Sequence, residues 1–144
     1  MSNLNLIKAE DTEYNPKTKR ITIKNCDTKC KIGLLLVYAD WCSHCRQFKP
    51  TYNYLTDMFN NFERKGRYKK FIISGEMPKL FAIDHDQNDK IPVSSFPTIF
   101  KISDMSCDEN KKIVVAKLSD YSSGRSFDDI INSFTDTEIS LSGK

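Results

Sequence analysis

The sequence predicts an α/β fold with a central mixed β-sheet flanked by helices on both faces. Residues 32–39, IGLLLVYA, are apolar on both sides of an extended chain, as expected of a central strand covered by a layer on each face. After this strand, apolar residues recur at spacings of three and four, which is typical of one face of an α-helix. They are Cys45, Phe48, Tyr52, Leu55, Phe59 and Phe62. At 144 residues the chain is expected to form one domain.

The other elements of the first half follow from similar patterns. RITIK at 20–24 alternates apolar and polar residues, which indicates a half-buried outer strand, and it comes after a turn signal at Asn15-Pro16. Pro50 removes a backbone donor inside the helix, so a bend is expected near the first turns. LFAID at 80–84 is predicted as the next strand of the sheet, and 64–78 as an excursion between helix and strand.

The last third of the chain predicts a hairpin and a closing helix. SFPTIFKI gives a strand that begins at Pro97, a polar loop covers 103–111, and a second strand covers 112–118. The short connection makes the two strands antiparallel. Ser126 with Asp129 three residues later resembles a capping box, which marks the start of a helix.

Composition and patterning bound the location and the classes of partner. We divide the chain into an N-terminal extension at 1–19, a domain at 20–135 and a flexible tail at 136–144. A net charge of +3 and one basic run give no nucleic-acid-binding motif. The first residues, MSNLNLIKAED, lack the pattern of a signal peptide, and the longest apolar run is too short to span a bilayer. We therefore expect a cytoplasmic protein with no nucleic-acid or membrane partner.

Cys42 and Cys45 form a C-x-x-C motif within WCSHC. In a reducing compartment, a close cysteine pair is more often catalytic or metal-binding than a structural disulfide. The turn after the central strand places Cys42 at the tip of the helix, where free N–H groups and the helix dipole stabilise a thiolate. We therefore predict Cys42 as the attacking sulfur and Cys45 as the shielded, resolving one. Trp41, Ser43 and His44 are predicted to tune the pair, because a cationic His44 would make it more oxidising.

These motifs resemble the thioredoxin-fold family: LLLVYADWCSHC, then a proline five residues after the second cysteine, then SFPTIF. YSSGRSFDDIINSF also resembles the end of protein disulfide isomerase catalytic domains. Over residues 20–135 the resemblance implies a protein thiol–disulfide oxidoreductase that needs no cofactor and no metal. It implies that Pro97 follows a cis peptide bond and that Phe96 and Pro97 form the ledge for substrate. The implied partners are proteins carrying disulfides or dithiols, bound transiently, and an electron donor or acceptor such as a reductase or glutathione.

The sequence departs from the family pattern inside the motif and beneath it. Ser43 and His44 replace the Gly-Pro of thioredoxins and partly match the Gly-His of protein disulfide isomerases. By analogy with the isomerases, the reduction potential of the Cys42–Cys45 pair is expected nearer roughly −180 to −230 mV than the roughly −270 mV of thioredoxin. Leu36 stands where the family commonly carries a buried carboxylate, and Ala82 where it carries a lysine. The resolving step then lacks its usual proton acceptor, so water or His44 is expected to take the proton from Cys45.

Two other interpretations stay open. The missing charge pair is compatible with a thioredoxin-like binding or assembly module whose cysteine pair is vestigial. A structural zinc site could use four thiolates, those of Cys26, Cys30, Cys42 and Cys45. Against zinc, a full buried strand would have to lie between the two ligand pairs. His85, at the end of a predicted strand, is expected to be a surface residue.

Overall fold

The structure is a computed structural model, and its description covers most of the chain with gaps. The described residues are 5–26, 32–65, 79–87, 91–108, 110–122, 124–126 and 129–130. They form β1 (Asn5–Leu6), β2 (Thr12–Asn15), β3 (Arg20–Ile23), β4 (Gly33–Tyr38), α1 (Ser43–Lys65), β5 (Lys79–Asp84), β6 (Thr98–Asp108) and β7 (Ile113–Asp120), with 3₁₀ turns at Ala9–Asp11 and His85–Gln87. None of the described helices is long and apolar enough to cross a membrane.

The described strands form one mixed sheet in the order β1-β5-β4-β6-β7-β3-β2. β4 pairs in parallel with β5 on one side and antiparallel with β6 on the other. The chain leaves β4, runs through α1 and returns as β5, which is how parallel neighbours must be connected. This topology confirms the predicted α/β class and the central position of the strand at 32–39.

Alternating side chains of β4 enter two separate apolar clusters, one on each face of the sheet. Leu34 and Leu36 pack into the cluster that contains the buried side of α1. Leu35 and Val37 point the other way, into a cluster built from β3, β6 and β7. Because successive side chains of a strand face opposite sides, a strand covered on both faces must be apolar throughout, as this one is.

β2 and β3 form a hairpin whose turn confirms the signal at Asn15-Pro16. The Asn15 side chain accepts a hydrogen bond from the backbone N–H of Lys17 at 2.9 Å, and the Asn15 carbonyl accepts one from Lys19. Lys19 lies at φ 58°, in the left-handed region that such turns use. Residues 5–6 pair with β5. Strands therefore occur within the segment named as an N-terminal extension, while the domain boundaries stay a prediction.

The β6–β7 hairpin is antiparallel as predicted, but the predicted polar loop at 103–111 is wrong. β6 continues to Asp108, through a bulge between Ser103 and Ser106 with Asp104 at φ 52°. Polar residues alternate here with half-buried Met105 and other inward-facing side chains. This alternation is the pattern of a strand with one face exposed to solvent, which the polar composition of the segment concealed.

α1 begins at Ser43 and continues through Pro50, and the bend predicted there stays a prediction. Tyr52, fully buried on its inner face, ties the helix to the sheet: its hydroxyl donates to the Phe81 carbonyl at 2.8 Å, with the Leu34 carbonyl at 3.2 Å. β5 confirms the strand predicted at 80–84. Most of the predicted excursion, Cys30 and the predicted tail lie outside the described residues.

The closing helix is described only at its start. The Asp129 N–H donates to the Ser126 hydroxyl at 3.1 Å, and the Ile130 N–H donates to the Ser126 carbonyl at 3.1 Å. Ser126 is therefore the N-cap that the sequence predicted. Ile130 is fully buried in the same cluster as the inner side of α1, so this end of the chain returns to the face that carries the cysteine pair.

Candidate active site

Cys42 lies between the end of β4 and the first residue of α1. Its backbone N–H donates to the Ala39 carbonyl at 3.1 Å, which closes a tight turn. Its own carbonyl accepts from the Arg46 N–H at 3.1 Å, the first helical bond. Cys42 is thus the cap residue of the helix, half-buried and open to an incoming group. The structure places this thiol at the helix tip, where the sequence analysis expected it.

Cys45 is one turn into α1 and faces inward. Its side chain is 3% exposed and packs in the cluster between the helix and the sheet. Its sulfur accepts a hydrogen bond from the backbone N–H of Ala39 at 3.5 Å. The three-residue spacing therefore gives the two thiols different surroundings, one at the surface and one beneath it.

The two thiols are perturbed in opposite directions. A hydrogen bond from the Cys45 thiol lowers the pKa of Cys42, with further help from the backbone N–H groups of Cys45 and His44 and from the Arg46 guanidinium. Burial raises the pKa of Cys45 to about 11, and its contact with Cys42 adds to the rise, while the Ala39 N–H and the Arg125 charge act against it. Of the two thiols, Cys42 is therefore the one that ionises first as pH rises.

The loop before β6 lies across from the pair. The peptide bond between Phe96 and Pro97 is cis. The Phe96 carbonyl is 3.5 Å from the Cys42 sulfur and accepts a hydrogen bond from the thiol. The Pro97 carbonyl accepts a hydrogen bond from the Arg125 guanidinium at 2.6 Å. The structure thus brings Phe96, Pro97 and Cys42 together, and the role of the first two in binding substrate stays a prediction.

The three residues predicted to tune the pair are all exposed. Ser43 and His44 occupy the first turn of α1, and His44 acts on Cys42 through its backbone N–H. Trp41 is 61% exposed and makes an edge-on contact with the ring of Phe96, at 5.6 Å between centroids. Their effect on the redox potential stays a prediction, because it depends on charge and substrate contact rather than on packing.

Three residues that the sequence analysis does not assign to the site contact it or act on it. Arg125 reaches the Pro97 carbonyl and acts on Cys45 from 80 positions further along the chain. Arg46 donates to the Asp40 carbonyl at 2.8 Å, which holds its charge beside Cys42. His85 contacts both Phe96 and Trp41, so the expectation of a mere surface residue was incomplete. Its position directly after a strand parallel to β4 was the available signal, because such strands end at the same edge.

Beneath the pair, the two departures from the family pattern face each other. Leu36 and Ala82 are partners in the β4–β5 register. Both are fully buried in the cluster that holds Cys45. The side chains that pack around Cys45 in this cluster are aliphatic and aromatic. The arrangement gives Cys45 an apolar environment.

The cysteines of the alternative zinc site are not brought together in the part of the chain that is described. Cys26 follows β3, its N–H donates to the Lys112 carbonyl at 2.8 Å, and its side chain packs against the cluster on the other face of the sheet from Cys42 and Cys45. Among the described residues, no group of three or more His, Cys, Asp or Glu side chains could hold a metal. Cys30 lies outside those residues.

An open thiol at a helix tip, a buried thiol one turn later and the loop before β6 beside them, at the end of a central strand, form the arrangement of a thioredoxin-type domain. The family model for thioredoxin matches residues 17–120. The chain belongs to the thioredoxin family.

Curated relatives belong to the protein disulfide isomerases. The chain is 31% identical to the protein disulfide-isomerase of Drosophila melanogaster over 94 residues, which are 62% of this chain and 16% of that protein. It is 37% identical to human protein disulfide-isomerase A4 over 68 residues, which are 46% of this chain and 9% of that protein. The chain therefore spans a small part of the relatives that it matches.

Solved structures agree with the fold. Crystal form I of human ERp44 superposes with a TM-score of 0.57 at 15% identity, and covers 94% of this chain and 29% of that one. Crystal form II of the same protein gives a TM-score of 0.52 at 17% identity, with the same coverage of both chains. At these identities the likeness shows the thioredoxin fold alone.

Proposed function

We propose that this chain is a protein thiol–disulfide oxidoreductase in which Cys42 attacks and Cys45 resolves. The observation that carries the proposal is the opposite perturbation of the two thiols. Cys42 has a lowered pKa and an open position at the helix tip, and Cys45 has a raised pKa and a buried position. Thiolate character and access together decide which thiol reacts first. The relationship to protein disulfide isomerases supports the same chemistry.

The reaction is an exchange of sulfur–sulfur bonds. The Cys42 thiolate attacks one sulfur of a substrate disulfide, a mixed disulfide forms, and the other substrate sulfur leaves as a thiolate that takes a proton from water. Cys45 then loses its proton and attacks the Cys42 sulfur, which forms the Cys42–Cys45 bond and releases the second substrate thiolate. Two electrons pass from the pair to the substrate. Run in reverse, the same steps oxidise a dithiol.

The substrate is a polypeptide laid along the loop before β6. The Phe96 carbonyl is already within reach of the Cys42 sulfur, so a chain bound against Phe96 and Pro97 would present its cysteine to the thiolate. The cycle needs an electron donor or acceptor, and a reductase or glutathione has the required chemistry. We propose a cytoplasmic location, in which donors of this kind keep the pair reduced between substrates.

A second candidate function is a binding module that uses the same ledge without turnover. The observation in its favour is the apolar environment of Cys45, whose pKa burial raises to about 11. A thiol that rarely ionises resolves mixed disulfides slowly. If resolution did not occur at all, the chain would bind protein partners without completing a thiol–disulfide exchange.

Reduction of insulin separates the two functions. The wild type is expected to reduce insulin, Cys42→Ser to lose the activity, and Cys45→Ser to accumulate a mixed disulfide visible by mass spectrometry. Cys107→Ser is the matched control, because this half-buried thiol packs on the other face of the sheet. If the wild type were as inactive as Cys42→Ser while both bind the reduced chains equally well, the oxidoreductase proposal would be wrong and the binding module would replace it.

A further inference from the structure

Three aromatic rings from separate parts of the chain meet beside Cys42. Trp41 comes from the turn after β4, His85 from the end of β5, and Phe96 from the loop before β6. The ring centroids of His85 and Phe96 are 4.2 Å apart, those of Trp41 and Phe96 5.6 Å, and those of Trp41 and His85 6.4 Å. All three pairs lie at or within the separations of interacting aromatic rings. We call these three residues the aromatic triad.

The triad is open to solvent rather than part of the core. Trp41 is 61% exposed, and Phe96 and His85 are half-buried. The plane of the Trp41 ring is turned by 80° to His85 and by 84° to Phe96. The two partners thus fix the orientation of the indole and leave most of its surface uncovered. Rings that served only to pack would be expected to bury this area, since Trp is highly buried on average.

The triad is close enough to the reacting sulfur to contact a bound substrate. Trp41 is the residue before Cys42, and the Phe96 carbonyl is 3.5 Å from the Cys42 sulfur. In a mixed disulfide the two cysteine Cα atoms lie about 4.4–6.8 Å apart, and the next substrate residue is about 3.8 Å further along the chain. We expect a large side chain on that residue to contact the exposed rings.

We propose that the aromatic triad is a substrate subsite, completed by His85, that selects polypeptides with an aromatic side chain next to the attacked cysteine. This inference rests on the proposed oxidoreductase function and names its substrate class. Aromatic pairs add a directional attraction beyond the burial of area. We assign the selectivity to His85, because its ring packs against both other rings from the 3₁₀ turn after β5, outside the motifs that contain Trp41 and Phe96.

The test compares two disulfide-linked peptides that differ in one residue, Phe or Ser, beside the target cysteine. For each variant, kcat/KM with each peptide is divided by the same variant's rate with hydroxyethyl disulfide, a small substrate without side chains. The wild type is expected to prefer the Phe peptide by about three- to tenfold. His85→Ala should lose most of the preference through KM, and His85→Phe should keep it. Tyr54→Ala, which removes an exposed aromatic residue elsewhere on α1, should leave the preference intact.

A wild-type preference near one, or a full preference in His85→Ala, would overturn the subsite. If no disulfide reacts at all, the proposed function fails, and a binding measurement then decides the subsite independently. The same peptides with Ser in place of the target cysteine are titrated while the indole N–H resonance of Trp41, the one tryptophan of the chain, is followed. A shift with the peptide that has Phe beside the replaced cysteine, and no shift with the peptide that has Ser at that neighbouring position, supports the subsite. Equal shifts, or none, refute it.

Discussion

Deprotonation of Cys45 should limit the rate of the resolving step at neutral pH, and the dependence of that rate on pH tests this prediction. Burial raises the pKa of this thiol to about 11 in the reduced protein. With that pKa, about one molecule in 10⁴ carries the Cys45 thiolate at pH 7, and the fraction rises tenfold per pH unit. In the mixed disulfide Cys42 carries no charge, so its contribution to the rise disappears while burial remains. The pKa that governs resolution then lies between about 8.5, the ordinary value, and about 11.

A single-turnover reaction with an aromatic disulfide measures both steps, because the first coloured thiol reports attack by Cys42 and the second reports resolution by Cys45. The other thiols, Cys26, Cys30 and Cys107, are replaced by Ser so that they release no colour. As pH rises, the attack rate should reach its plateau at a lower pH than the resolution rate does, because the pKa of Cys42 is lowered. The resolution rate should keep rising, close to tenfold per pH unit, from pH 6 to beyond pH 8.

Cys45→Ser should abolish the second release and leave the first, which assigns the phases. His44→Gln separates the two expected proton acceptors of the resolving step. If the resolution rate keeps the same dependence on pH, water is the acceptor. If the resolution rate is lower than in the wild type below pH 8, the imidazole is the acceptor. A resolution rate that becomes independent of pH below about pH 8 would refute the reasoning, since it would require a Cys45 pKa at or below its ordinary value or a nearby carboxylate.

Three further predictions follow from single contacts. Arg125→Ala removes a positive charge that lowers the pKa of Cys45, so resolution at pH 8 should slow by about two- to tenfold in the same assay, with Arg125→Lys between the two. Tyr52→Phe removes a buried hydroxyl that bonds two strands, and urea unfolding should show a loss of about 0.5–1.5 kcal/mol, whereas exposed Tyr54→Phe should change the free energy of unfolding by less than about 0.5 kcal/mol. Gly33→Ala places a methyl group against a backbone carbonyl of β5, so thermal unfolding should show a loss of about 1–3 kcal/mol.

The parts of the fold that the sequence predicted are those in which local pattern and tertiary burial agree. β4 is apolar at every position because both faces of the sheet are covered there, and α1 shows its inner stripe because one side meets the sheet. The loop predicted at 103–111 was wrong over 103–108 because local pattern and tertiary structure disagree there. Its polar residues face solvent at alternate positions of a strand, and a bulge at Asp104 interrupts the period that would have revealed it.

The two cysteines could be placed from sequence, because their exposure depends on a helix start and a three-residue spacing. Arg125 could not, and His85 could be placed only once the pairing of β4 with β5 is known. Both reach the site through the topology of the sheet, and a single sequence does not state which strand ends become neighbours. The parallel register of β4 and β5 brings His85 beside Trp41. The return of the chain after β7 brings Arg125 against the loop before β6.

Burial gives the two thiols different pKa values, and we expect it also to slow the attack of Cys45 on the mixed disulfide at Cys42. If Leu36 and Ala82 were a charged pair, a carboxylate would lie beneath Cys45 to accept its proton, but a buried ion pair also carries a desolvation cost. With both positions apolar, this cost is absent and the difference between the two thiols is kept, but we expect the mixed disulfide to live longer. In the proposed function, slow resolution and the proposed subsite beside Cys42 would act together, because a mixed disulfide that lasts longer would favour substrates that the aromatic triad binds. This combination would suit exchange between protein disulfides better than rapid general reduction.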